Sequence, residues 1–208
     1  MIFDILLDLH VVPTKQPKVK KGFLDFLFPP KPVQTKIVYE QKLETNTFGK
    51  NLKFEGERPS CKECKVPMKL IIQIDDKRIV EKPVQVFQCQ SDPGQCEDWN
   101  AESGANKVIF NDHLNAILSE KALNFVSSGY SDAQREETYE FHADNAIGKA
   151  LGKPLWIQSD ETPHCCQQPM QFILQIDGGF GLNFGDSGIA YLFQCTKCKE
   201  GKFLWQCH

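Results

Sequence analysis

The stretch VPMKLIIQID at residues 66–75 is repeated as QPMQFILQID at residues 168–177, each time shortly after cysteines. Together with PVQVFQC and GIAYLFQC downstream, these stretches are rich in β-branched and aromatic residues, which predicts strands in each place. The match continues upstream, where GKNLKFEGERPSC parallels GKPLWIQSDETPHC with one residue inserted. Downstream, VQVFQC ends at Cys89 and AYLFQC ends at Cys195. The chain therefore reads as two pseudo-repeated, strand-rich halves about a hundred residues apart.

Four segments make up the predicted organisation of the 208 residues, with the two halves fused into one globular unit. They are an N-terminal arm (1–36), a first pseudo-repeat (37–110), a helical linker (111–135) and a second pseudo-repeat (136–208). In the linker, Leu114, Ile117, Leu118 and Phe125 fall on one face of a helix that Asn111 or Asp112 can cap and Gly129 can end. The predicted fold class is α+β, with two β-rich halves, connecting helices and zinc-knuckle-like cysteine clusters.

The N-terminal arm carries an apolar cluster among prolines and lysines, namely Phe23, Leu24, Phe26, Leu27 and Phe28. Because prolines interrupt helices, we expect an extended arm whose aromatic rings pack on the body. An arm that docks a partner or touches a membrane is the alternative. The first twelve residues read as a strand or helix, since Asp4 and Asp8 interrupt the apolar run that a signal peptide needs.

Composition and hydropathy indicate a soluble cytoplasmic protein. Charged residues make up 25% of the chain, the net charge is only −3, and no long block of one sign occurs, so a nucleic-acid partner is not expected. The sequence also lacks an apolar run of about eighteen residues, so we expect no transmembrane helix and no membrane partner.

Cysteines recur at matching places in the two halves. The first half has Cys61, Cys64, Cys89 and Cys96. A C-x-x-C pair followed by two later cysteines is the spacing by which two loops supply four thiolates to a tetrahedral zinc ion. Buried apolar thiols are the first alternative. Disulfides rank last, because the count of nine is odd and the sequence shows no export signal.

The second half has Cys165, Cys166, Cys195 and Cys198, in which the upstream pair is adjacent and the C-x-x-C pair lies downstream. Adjacent cysteines are poor partners for one metal, so Cys166, Cys195 and Cys198 are the stronger zinc ligands. The fourth ligand then comes from one of four residues, namely Cys165, His164, Cys207 or His208. We name Cys165 in the predicted ligand set.

These motifs also carry a resemblance to known families. GKPLWIQ before the cysteines, then QPMQFILQID, a glycine-rich loop, YLFQC and FLWQC resemble the YwqG-like family of bacterial proteins, over about residues 145–207. Cys-x-x-Pro-Met with FQC is more loosely similar to zinc proteins of the programmed cell death protein 2 type, which are chaperones of a ribosomal protein. The first resemblance implies an immunity-like role against a toxin or another protein-binding role, and the second implies a client protein as partner.

No catalytic motif is present in the sequence. It contains no G-x-S-x-G elbow, H-E-x-x-H helix, phosphate-binding loop or dinucleotide fingerprint. His142 near Asp144 is a candidate general base without a nucleophile, and Asp75 and Asp177 are a candidate carboxylate pair at matching strand ends. We therefore predict no catalytic residues and a protein-binding module stabilised by structural zinc. The alternative is an enzyme whose site lies in the cleft between the halves.

Overall fold

The computed structural model describes residues 2–8, 46–49, 52, 54, 56–91, 96–112, 122–127, 146–179 and 181–208. Its strands are β1 (Phe3–Asp8), β2 (Thr47–Phe48), β3 (Lys69–Ile74), β4 (Val84–Gln88), β5 (Asn106–Phe110), β6 (Ala122–Ser127), β7 (Ala146–Ala150), β8 (His164–Cys165), β9 (Gln168–Pro169), β10 (Gln171–Asp177), β11 (Ile189–Gln194) and β12 (Gly201–Gln206). Ten of them form one sheet in the order β12-β11-β10-β7-β1-β6-β2-β3-β4-β5, and β8 pairs with β9.

The predicted α+β class is wrong, because the described residues form strands and no helix. Within the predicted helical linker, residues 122–127 are strand β6, which pairs antiparallel with the whole of β1. Leu123 and Phe125 are buried on the same side of β6, as the two-residue period of a strand requires. Pairing with β1 therefore overrides the helical pattern here. Leu114, Ile117 and Leu118 lie outside the described residues.

Strand β1 occupies the centre of the sheet, between β6 and β7. Residues 3–8 of the predicted arm therefore belong to the sheet, and Phe3 and Ile5 are buried in its core. The aromatic cluster of the arm lies outside the described residues. Within the described ranges, no helix has the length and hydropathy needed to cross a membrane.

The strands β3-β4-β5 and β10-β11-β12 pair in the same register. Phe87 opposes Leu70 as Phe193 opposes Phe172, and each leading strand has a bulge immediately afterwards. Each bulge changes the face of the sheet toward which alternate side chains of the strand point. Side chains before it pack beside a cysteine cluster, and those after it, such as Ile72, enter the main core.

The two edge strands of the sheet, β5 and β12, lie against each other. A Cβ atom on Gly201 would come within 2.3 Å of Val108 Cγ1, so glycine permits this close approach. The backbone N–H of Trp205 donates to the carbonyl of Trp99 at 3.2 Å. We call this contact between β5 and β12 the seam.

The tryptophans at the seam are not equivalent in the strand register, although Trp99 follows Cys96 as Trp205 follows Cys198. Trp205 opposes Ala190 within β12, and the corresponding position in β5 is Phe110, opposite Val84. Trp99 precedes β5 and packs edge-on against Trp205, with ring centroids 6.1 Å apart. The shared cysteine-to-tryptophan order thus places two different residues at one contact.

Candidate metal centres

The first cluster consists of the four sulfur atoms of Cys61, Cys64, Cys89 and Cys96, which all lie within 4.8 Å of one another. Cys61 and Cys64 belong to a tight turn before β3. The N–H of Lys65 donates to the carbonyl of Cys61 at 3.1 Å, and Lys65 has a φ of 63°. Cys89 directly follows β4, and Cys96 belongs to the loop before β5. The turn before β3 is thus brought close to the loop that follows β4.

The second cluster consists of the sulfur atoms of Cys165, Cys166, Cys195 and Cys198, again all within 4.8 Å. Its C-x-x-C turn connects β11 to β12 and repeats the geometry of the first. The N–H of Lys199 donates to the carbonyl of Cys195 at 3.0 Å, with a φ of 62° at Lys199. Each cluster therefore contains one turn of the form C-x-x-C-Lys with a left-handed lysine.

Adjacent Cys165 and Cys166 both reach the second cluster because they lie on a tight hairpin. Strands β8 and β9 are joined by Cys166 and Gln167, whose φ values of 50° and 63° fit the two-residue turn with left-handed central residues. The sulfur atoms of Cys165 and Cys166 are 3.8 Å apart. Of the four candidates for the fourth ligand, Cys165 is the one that joins the cluster, whereas Cys207 lies near Gly185.

The spacing of the sulfur atoms suits a tetrahedral ion. Ligands about 2.3 Å from a central zinc are about 3.8 Å from one another. The Cys64 and Cys89 sulfurs are 3.6 Å apart, and those of Cys165 and Cys198 are 3.4 Å apart. Each cluster could thus hold its own metal ion after modest movement of its cysteine side chains. Four protein ligands would leave no open coordination position for a substrate.

Protonation is uneven within each cluster. The Ser91 hydroxyl, 3.1 Å from the sulfur, lowers the pKa of Cys64 to about 6, whereas burial raises the pKa of Cys96. In the second cluster, the backbone N–H of Cys198 lowers the pKa of Cys195 to about 6, and the Cys198 thiol raises that of Cys165. In each cluster one cysteine ionises readily, and ionisation of a second cysteine beside that charge is unfavourable. A bound cation would remove that obstacle.

A small apolar core lies beside each cluster, separate from the main core of the sheet. Phe87 packs beside the first cluster and contacts the ring of Phe54 edge-on, with centroids 5.2 Å apart. Phe193 packs beside the second cluster and stacks on Trp156 at 5.9 Å. The matched upstream segments, GKNLKF and GKPLW, supply these two covering rings.

The candidate catalytic carboxylates do not form a pair. Asp75 follows β3 and Asp177 ends β10, and these strands are separated by four others in the sheet order. Asp75 is ion-paired with Lys77 at 3.0 Å, and its N–H donates to Asn46. His142, the candidate general base, lies outside the described residues.

Two concavities lie at the seam among the residues that the structure describes. One has a volume of about 320 Å³ and includes Lys62, Glu102 and Lys202 in its lining. The other, of about 370 Å³, includes Trp99 and Pro163. Neither lining contains a histidine or a cysteine. Sequence reasoning missed the seam, because β5 and β12 meet only when the whole sheet curves.

Comparison with known proteins adds no family. No protein-family model matches the chain. No curated protein matches it significantly.

Asp177 makes a pH dependence of stability expected. Its Oδ1 has no hydrogen-bond partner among the described residues, and burial raises its pKa to about 7. An unfolded aspartate has a pKa of about 3.9, so the folded state binds more protons between about pH 4 and 7, and stability falls as pH rises through that range. Asp177→Asn should therefore increase the free energy of unfolding at about pH 8 and change it little at about pH 4. Urea denaturation at both values measures this.

Asp160 provides a control of opposite sign for that experiment. A hydrogen bond from Thr162 lowers its pKa, so Asp160→Asn should reduce stability at the higher pH. A gain from Asp177→Asn that is equal at both pH values would contradict the assignment to the buried charge.

Proposed function

We propose that this chain is a zinc-stabilised protein-binding module that acts on a toxin or a client protein, in an immunity-like or chaperone-like role. The observation that carries the proposal is the pair of four-cysteine clusters, each linking a turn before one strand to a loop after the next. Four protein thiolates with no open position are typical of structural metal sites.

Zinc is the metal that best suits these ligands. Tetrahedral sites of four sulfur atoms take zinc or an iron–sulfur cluster. Two of the sulfur–sulfur distances, 3.4 and 3.6 Å, are close to the edge of a tetrahedron around a single ion. Zinc would supply charge neutralisation and a crosslink, and the cysteines alone would hold it.

The surface beside the seam supports a role in protein binding. Val66 and Trp99 are the large apolar side chains that remain exposed among the described residues, at 43% and 37%. Both lie on loops of the first cluster, and the concavity beside Trp99 extends to Pro163 and Leu204 of the second half. An exposed tryptophan that lines a concavity is typical of the centre of a protein contact.

Internal duplication is part of this proposal. The shared register of β3-β4-β5 and β10-β11-β12 and the two C-x-x-C-Lys turns support an origin by fusion of two copies. An enzyme with a site between the halves remains the rival function. The linings of the two seam concavities offer it no histidine or cysteine.

The metal content tests the first part of the proposal. Elemental analysis of the purified protein should show about two zinc ions per chain, one per cluster. A strong chelator should lower the melting temperature, because structural zinc contributes about 10 kcal/mol or more of apparent binding energy. Protein that is purified without metal, and that melts at the same temperature with and without chelator, would contradict this part of the proposal.

A capture experiment in the native host tests the second part. Tagged wild-type protein should retain a stoichiometric partner, and Trp99→Ala should retain less of it while keeping its zinc. Lys77→Ala, which removes an exposed ion pair outside the linings of both seam concavities, is the control that should leave capture unchanged. Zinc-loaded protein that captures no partner would leave the metal sites standing and reject the binding role.

A further inference from the structure

The two clusters differ in exposure to solvent. In the first, Cys61, Cys89 and Cys96 are buried and Cys64 is partly buried. In the second, Cys195 alone is buried. Oxidants attack thiolates that they can reach, so this difference bears directly on their reactivity.

Exposed sulfur atoms in the second cluster are also close enough to react with each other. Cys165 is partly buried and Cys198 is exposed, and their sulfurs are 3.4 Å apart. Cys166 is a poorer partner for Cys165. The Cα atoms of neighbouring residues are about 3.8 Å apart, whereas a disulfide usually needs about 4.4–6.8 Å.

The corresponding reaction in the first cluster is disfavoured by the burial of one of its two cysteines. Its close pair is Cys64 and Cys89, with sulfurs 3.6 Å apart. Cys89 is only 2% exposed, and Ser91 lies against both sulfurs, at 3.1 Å from Cys64 and 3.2 Å from Cys89. A peroxide therefore has less access to this pair.

We propose that the second cluster is a thiol-oxidation site, at which a peroxide joins Cys165 and Cys198 in a disulfide and expels the metal, while the first cluster stays intact. Expulsion of the metal rests on the proposed zinc site. Formation of the disulfide does not, because the four sulfurs are together in the fold itself.

The reaction is balanced with one peroxide molecule. The Cys198 thiolate attacks one peroxide oxygen, so that a sulfur–oxygen bond forms, the oxygen–oxygen bond breaks and hydroxide leaves. The Cys165 thiolate then attacks this sulfur, forming the disulfide and releasing a second hydroxide. Two electrons pass from the two sulfurs to the peroxide, and two protons from solvent convert the hydroxides to water. Only two thiolates remain for the zinc ion, which dissociates.

The fold should survive this oxidation. The new disulfide keeps the β8–β9 hairpin joined to the turn between β11 and β12, which the metal would otherwise link. The same loops are also joined by a hydrogen bond from Gln168 Nε2 to Thr196 Oγ1 at 2.6 Å. A thiol reductant with added zinc should therefore restore the original state.

The test treats purified full-length protein with hydrogen peroxide and follows two readouts. A chromophoric zinc indicator should record loss of one of two zinc equivalents, at least about tenfold faster than the second. Peptide mapping by mass spectrometry should find a Cys165–Cys198 disulfide in that first phase. Cys207→Ser removes the thiol outside both clusters and should change neither result. Cys198→Ser should abolish both the fast release and the disulfide.

Several results would overturn the proposal. They are release of both equivalents at one rate, first oxidation within Cys61, Cys64, Cys89 and Cys96, or fast release without the disulfide. Protein purified without zinc would count against the proposed function, and peptide mapping would still decide whether Cys165 and Cys198 are oxidised first.

Discussion

Replacement of Cys61 by serine is expected to unfold the first half of the chain. Cys61 is fully buried, its sulfur belongs to the first cluster, and its N–H donates to the carbonyl of Val66 at 3.0 Å. Loss of one of four ligands would remove most of the binding energy of the proposed zinc ion, about 10 kcal/mol, which is comparable to the total stability of a domain. Elemental analysis should show about one zinc fewer per chain. Thermal unfolding should begin at a much lower temperature.

Cys207→Ser is the matched control for this change. Cys207 is partly buried and lies outside both clusters, so its variant should keep the wild-type zinc content and melting temperature. If Cys61→Ser also kept both, the first cluster would be a group of apolar core thiols without a structural metal.

Replacement of Phe193 by alanine should destabilise the second half by about 3–5 kcal/mol. Phe193 is fully buried, and its ring lies 5.9 Å from that of Trp156 and 5.8 Å from that of Phe172. Alanine would leave a cavity beneath the second cluster and remove both ring contacts. Urea denaturation measures the loss, and the same protein should show weaker zinc retention at the second site.

Val66→Ala serves as the control for the apolar truncation. Val66 is 43% exposed, so its variant should change the free energy of unfolding by no more than about 0.5 kcal/mol. A loss from Phe193→Ala as small as that of the control would mean that the small core beside the second cluster contributes little to the fold.

Local patterns in the sequence were sufficient to identify the strands that carry the repeated motif. LIIQI and FILQI are short runs rich in isoleucine, a β-branched residue, and both are strands. Cysteine spacing also identified both groups of sulfur atoms, because a C-x-x-C turn brings its two thiols together by local geometry alone. The position of the adjacent cysteines, Cys165 and Cys166, depended on a two-residue turn at Cys166 and Gln167. The sequence did not indicate this turn, because neither turn residue is a glycine.

Long-range pairing decided the rest. Residues 122–127 belong to the predicted helical linker, and they form a strand because β1, more than a hundred residues away, pairs with them. The seam, the exposure of Trp99 and the unequal burial of the two clusters all depend on how a ten-stranded sheet curves. The sequence by itself determined which residues form the repeated strands and which cysteines gather, because those properties depend on neighbours in the chain. Only the tertiary structure decided the all-β class, the contact between β5 and β12 and the accessibility of each thiol, because these depend on residues distant in the chain.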